Sequence, residues 1–183
     1  MQMELPKNKD YSLRGISDID LSQFDCADKD LNIFFRENAK DNEEELVSKT
    51  YFLTKSDDKF PLVAFCVSNA EIRTNSDFDM VISPQSQYET YPAVRIGRFA
   101  THKDHKKKGL GHLAMNLIKT WFITSNKTGC RFIIVDARKT EEAQKFYNTN
   151  GFEDYPEQNN KEKTILKYFD LKTLEIAIKS FPV

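Results

Sequence analysis

The chain has 183 residues, of which 39% are hydrophobic, 12% aromatic and 30% charged, with a formal net charge of −1. That length fits one domain, 1–183, with a sizeable core, because a second core would leave each half thin. The near-neutral balance supplies no global field to draw the protein onto nucleic acid or a membrane, although it leaves room for a local basic groove.

Cys26, Cys66 and Cys130 are odd in number, far apart, and form no C-x-x-C pair. They read as reduced thiols of a cytoplasmic protein rather than as staples or zinc ligands. The opening MQMELPKNKDYSLRG lacks the apolar core of a signal peptide, and the apolar run FPLVAFCV at 60–67 is far too short to span a bilayer. A cytoplasmic location without membrane contact is therefore expected. Fourteen phenylalanines predict an aromatic-rich interior.

In chain order, a short strand is followed by helix, with Asp28 as N-cap of a segment carrying Leu31, Phe34 and Phe35. KTYFLTK (49–55) and FPLVAFCVSN (60–69), separated by the polar SDDK, predict an antiparallel hairpin. Residues 71–92 are polar, contain Pro84 and Pro92, and read as a long connection or a short helix. VRIGRFAT (94–101) is a predicted strand. After HKDHKKKGLG comes a helix with Leu110, Leu113, Ala114, Leu117, Ile118, Trp121 and Phe122 on one stripe. RFIIVDA (131–137) is the next strand, and strand–helix–strand predicts a parallel βαβ unit. Thr140 opens another helix, with Glu141 and Glu142 in its first turn, a buried face of Ala143, Phe146 and Tyr147, and Gly151 as left-handed stop. TILKYFDL (164–171) is a last strand, and LKTLEIAIKSF suits helix or strand equally. The fold class is mixed α/β (α+β): a twisted, mostly antiparallel sheet flanked by helices, with a βαβ core.

Lys106-Lys107-Lys108-Gly109-Leu110-Gly111-His112 lies where a loop becomes a helix. A helix start leaves amides unpaired and carries a partial positive charge, and glycines there let the backbone approach a phosphate. The heptapeptide alone is equally compatible with a basic helix start that binds nothing. The Walker pattern G-x-x-x-x-G-K-S/T is absent, which disfavours an ATPase or GTPase. Gly109 to Ala114 satisfies G-x-G-x-x-A, the dinucleotide fingerprint. Seven residues, His102–Lys108, separate it from the strand, however, and no acidic residue sits about twenty positions on. NAD binding is rejected. His102, His105 and His112 crowd this loop without acidic or cysteine partners, so no metal is assigned.

These residues resemble the GNAT superfamily of N-acetyltransferases. That family carries Gln or Arg, two residues, Gly, one residue, then Gly or Ala, and it binds the coenzyme A pyrophosphate there. Lys106, Gly109 and Gly111 match, with Lys at the first place. The family signature A-x-x-(F/Y)-Y-x-x-x-G-F is similar to Ala143-Gln144-Lys145-Phe146-Tyr147-Asn148-Thr149-Asn150-Gly151-Phe152. The resemblance covers roughly 94–155, with the hairpin a looser match. It implies acetyl-CoA as co-substrate, held by Lys106, Lys107, Lys108, Gly109, Leu110, Gly111 and His112. It also implies strand-like pairing of Phe99, Ala100 and Thr101 with the pantetheine arm, and a contact from Thr140, where the family often has Asn. Tyr147 becomes the general acid on the departing thiolate, against the simpler reading of a core aromatic. No general base is evident; Glu71 is a candidate.

YPAVRIGRFATHKDHKKKGLG further resembles the P-x-V-x-(L/I)-G-R-L-A-V run of acetyltransferase toxins from bacterial toxin–antitoxin pairs, with Phe99 and Thr101 replacing Leu and Val. F-D-C-A-D-x-D-L (24–31) is similar to the start of those proteins. That likeness implies charged tRNA as acceptor and a small antitoxin as partner. The readings left open are an N-acetyltransferase of a small or macromolecular primary amine, such a toxin, and a non-catalytic acyl-CoA-binding module. A homodimer is also left open.

Overall fold

The computed structural model describes residues 10–73, 88–124, 128–156 and 163–180. Seven strands, β1 (Tyr11–Gly15), β2 (Lys49–Lys55), β3 (Val63–Arg73), β4 (Thr90–Thr101), β5 (Phe132–Arg138), β6 (Glu153–Asp154) and β7 (Thr164–Asp170), form one sheet in the order β1-β2-β3-β4-β5-β7-β6. The pairs β1–β2, β2–β3, β5–β7 and β6–β7 are antiparallel. The helices are α1 (Lys29–Ile33), α2 (Ala39–Glu44), α3 (Leu110–Thr124), α4 (Glu141–Thr149) and α5 (Leu171–Ser180). Neighbouring β4 and β5 are joined through α3, the connectivity of a βαβ unit.

The chain forms two compact units. The first comprises Met1–Ser68 and Ile96–Ser125. Its core holds Phe24, Phe34, Phe35 and Phe52 with Ile19, Ala39, Ala64 and Ala100. Phe24 meets Phe35 edge-on at 5.3 Å and Phe52 at 6.0 Å, the geometry that ring quadrupoles favour. A π-helical turn, Phe34–Asn38, links α1 to α2, and its wider winding lets two consecutive phenylalanines be buried. Asp28 caps α1 by accepting from the Leu31 N–H at 3.0 Å. The hairpin has the expected strands, with Leu53 opposite Val63, but its connection runs through residue 62. Pro61 has no N–H to offer a ladder, so pairing starts after it. Along α3, Leu110, Ala114, Met115, Ile118, Lys119 and Trp121 are buried, whereas Leu113, Leu117 and Phe122 are half-buried. Lys119 is only 5% exposed, and burial pushes its ammonium down to about 8.

The second unit comprises Asn69–Arg95 and Asn126–Val183. Ile72, Tyr91, Ala93, Phe132, Ile134, Tyr155 and Tyr168 make its core. The pairing of β5 with β7 runs from Phe132 opposite Asp170 to Arg138 opposite Thr164. The polar stretch expected at 71–92 is strand at both ends, since β3 continues to Arg73 and β4 begins at Thr90. Its middle, with Pro84, lies outside the described residues. Pro92 sits inside β4 with its carbonyl accepting from the Arg131 N–H at 2.9 Å. The tail is helical from Leu171 to Ser180. Asp170 starts it by accepting from the Lys172 N–H at 2.8 Å, while Arg131 donates to both oxygens of the same carboxylate at 2.8 Å.

Cys26 and Cys66 are buried free thiols, and Cys130 is a half-buried one. Among the described residues, no helix is long and apolar enough to cross a membrane.

Candidate active site

In the first unit, β4 ends in half-buried Phe99, buried Ala100 and half-buried Thr101, with Phe99 stacked on Phe65 at 6.4 Å. A 3-10 turn, Lys103–His105, follows. Lys107 and Gly109 then both take left-handed backbone conformations, at φ 59° and 77°. Such alternation of hand turns neighbouring amides toward a common point, the geometry of an anion cradle. The Gly109 carbonyl accepts from the Leu113 N–H at 3.0 Å and so begins α3, whose first amides have no partner inside the helix. A Cβ at Gly109 would meet nothing within 4 Å. Backbone hand, not crowding, demands glycine there, and the space in front of it is open. Open space in front of a helix start fits a diphosphate. Gly111 and exposed His112 follow in the first turn, after buried Leu110.

The structure separates the lysines of this loop. Lys103 pairs with Asp25 at 2.9 Å, and Lys108 donates to the Asp104 carbonyl at 2.9 Å. Lys106 and Lys107 are exposed, with no ion-pair partner among the described residues. His102 is buried against Phe24 and Phe60 and belongs to the core, whereas His105 is half-buried. Burial, then the charge of Lys108, pulls the His105 imidazole below its ordinary value. Among the described residues, no group of three His, Cys, Asp or Glu side chains could hold a metal ion.

In the second unit, Thr140 is the N-cap of α4, its hydroxyl accepting from the Ala143 N–H at 3.4 Å. Ala143, Phe146 and Tyr147, expected as a buried face, are half-buried. The helix stops in a paired-amide cap. Phe152 N–H reaches the Tyr147 carbonyl at 3.0 Å, and Gly151 N–H reaches the Asn148 carbonyl at 2.9 Å, with Gly151 at φ 74°. This cap folds Phe152 back onto Tyr147, ring centroids 5.4 Å apart. The sequence pattern Tyr-x-x-x-Gly-Phe is thus a device that fixes one phenol ring. Burial, and then the nearby Asp136 carboxylate, push the Tyr147 hydroxyl up to about 12. Asp136 is itself paired with Arg95. A hydroxyl so raised is fully protonated at neutral pH, the form from which an acid must start.

Gly151→Ala should cost about 1–2 kcal/mol from its left-handed backbone. A Cβ there would also stand 3.3 Å from Phe169 Cε2. Chemical unfolding checks this, and an unchanged midpoint would contradict it. Glu71 is exposed on β3.

A family model described as an acetyltransferase (GNAT) domain matches residues 62–154, just over half the chain. The chain belongs to the GNAT acetyltransferase family. This GNAT enzyme is similar in fold to a tyrosine-to-phenylalanine mutant of KacT, with TM-score 0.70 and 23% identity over 92% of this chain and 99% of that one. AtaTR bound with AcCoA matches at TM-score 0.69 and 21% identity, covering 93% and 99%. AtaT complexed with acetyl-methionyl-tRNAfMet matches at 0.69 and 22%, covering 92% and 99%. As a GNAT acetyltransferase, the chain is an enzyme that uses acetyl-CoA as its co-substrate.

What sequence reasoning missed is Asp25, whose contact with Lys103 joins residues far apart in the chain, and Asp136, whose charge acts on Tyr147. The only available signal for the first was the F-D-C-A-D stretch itself.

Proposed function

We propose that this enzyme acetylates the α-amino group of an amino acid carried on tRNA, and that a small antitoxin restrains it. The observation that carries the reading is length: the matches to KacT and AtaT extend over 92% of this chain and 99% of theirs. They thus take in the N-terminal region beyond the family match at 62–154. A net charge of −1 does not oppose it, because Lys106, Lys107 and Lys108 concentrate positive charge on one short loop. In this reading the whole chain, 1–183, is one acetyltransferase domain, supported by a family match that runs from one unit into the other.

The amides at 109–112 hold the diphosphate, with Lys106 and Lys107 adding charge. The β4 end at Phe99, Ala100 and Thr101 takes the pantetheine amides as an added strand, a contact nearly indifferent to side chain. The amine lone pair attacks the acetyl carbonyl, forming a C–N bond as the C–S bond breaks. Tyr147 gives its proton to the leaving sulfur, and the ammonium proton passes to water. Lys108 contributes charge but is tied to Asp104, and Thr140 serves as helix cap.

Labelled acetyl-CoA offered with a mixture of charged tRNAs, free amino acids and polyamines tests the proposal. Label is expected on the aminoacyl group and to vanish when the tRNA is deacylated. Label found only on free amines would leave a small-amine acetyltransferase and remove tRNA and antitoxin from the account.

A further inference from the structure

The F-D-C-A-D stretch has no part in the chemistry above, yet the structure joins it to the phosphate loop through several bonds. Three successive carbonyls are occupied. Gln23 O faces His102 Nε2 at 3.2 Å, Phe24 O accepts from Arg36 Nε at 2.6 Å, and Asp25 O accepts from the Lys103 N–H at 2.7 Å. The His102 Nδ1 accepts from the Asp104 N–H at 3.3 Å, so the ring proton is on Nε2 and is donated to Gln23. The Phe24 ring is wholly buried between Phe35, Phe52 and His102 and pegs the stretch in place.

The Asp25 carboxylate is itself held. Asn32 Nδ2 donates to Oδ1 at 2.8 Å and the Ala27 N–H donates to the same oxygen at 2.9 Å, leaving Oδ2 for Lys103. Ala27 takes a left-handed backbone at φ 58° to make its bond, an uncommon conformation for a residue with a Cβ. Asn32 Oδ1 in turn accepts from the Cys26 N–H at 2.9 Å. An exposed ion pair between two mobile side chains contributes little. Here one partner is locked by two hydrogen bonds, and the other is anchored through its own backbone.

We infer that Asp25 is a positioning residue for the phosphate-binding turn, acting through Lys103. Its carboxylate holds the Lys103 ammonium while its carbonyl holds the Lys103 N–H, three positions before Lys106. The ligand class is the diphosphate of an acyl-CoA, so the inference rests on the acetyl-CoA assignment made above.

Calorimetric titration of the full chain with acetyl-CoA, alongside thermal unfolding without ligand, tests it. Asp25→Asn should weaken binding about tenfold, because small displacements of a positioning element are costly. The unliganded midpoint should move by no more than about 4 °C. Lys103→Met should weaken binding similarly, and the double variant should be no worse than either single one. Asp25→Glu, which keeps the charge, should recover part of the loss. Wild-type affinity in Asp25→Asn overturns the inference. So does a loss that adds fully to that of Lys103→Met and tracks a fall in midpoint, since that marks a purely structural role. No heat from the unaltered protein removes the acetyl-CoA assignment and this inference together.

Discussion

Tyr147→Phe is expected to lower turnover by ~10² or more while leaving acetyl-CoA affinity unchanged. The substitution keeps the ring that Phe146 and Phe152 pack against, at 5.2 and 5.4 Å, and removes only the oxygen. Stability should hold within about 1 kcal/mol, because the ring packing is kept and a single oxygen is removed. Release of free thiol measured under saturating acetyl-CoA, paired with a binding titration, separates the two effects. A variant that turns over like the parent would return Tyr147 to the role of a packing residue. Loss of binding together with turnover would mean that the hydroxyl holds the co-substrate instead of protonating its product.

The second large effect falls on stability. Asp170→Ala should cost about 3–5 kcal/mol, the range for breaking a buried charge pair from one side. The Asp170 side chain is 6% exposed, and it accepts two parallel bonds from Arg131 and one from the Lys172 amide. Alanine would leave the guanidinium without its carboxylate and the first turn of α5 without a cap. Asp170→Asn, which retains an oxygen for the amide, should recover only the capping part, about 1 kcal/mol. Denaturant unfolding of both variants measures the two contributions. A cost below about 1 kcal/mol for alanine would class the pair with ordinary surface ion pairs.

The glycine loop, α3, β5 and α4 were legible because their signals are local. Gly109 and Gly151 each stand at a left-handed position, and the apolar residues of α3 recur at helical spacing. The strand ends at 71–73 and 90–93 were not legible, since polar residues and Pro92 mask pairing that depends on the opposite strand. LKTLEIAIK fits both periods, and the choice of helix follows from Asp170, which Arg131 fixes from a distant part of the chain. Lys119 is charged and lies outside the apolar stripe read along α3, and only tertiary packing buries it. In the candidate site, the left-handed turn at Gly109 and the helical setting of Tyr147 could be read from the sequence. The division of labour among the lysines did not, because a lysine's partner leaves no trace in its own neighbourhood.

The π-helical turn at Phe34–Asn38 has a bearing on length variation in this part of the chain. A π turn is an α-helix carrying one surplus amino acid. Excising a single position there would let the coil rewind to regular geometry with the flanking turns in phase, so the change would fall on the turn itself. Phe34 and Phe35 could then no longer both point inward, and the guanidinium of Arg98, now 4.1 Å from the Phe34 ring, would lose its platform. Homologous enzymes that lack the insertion should therefore differ at position 98 as well.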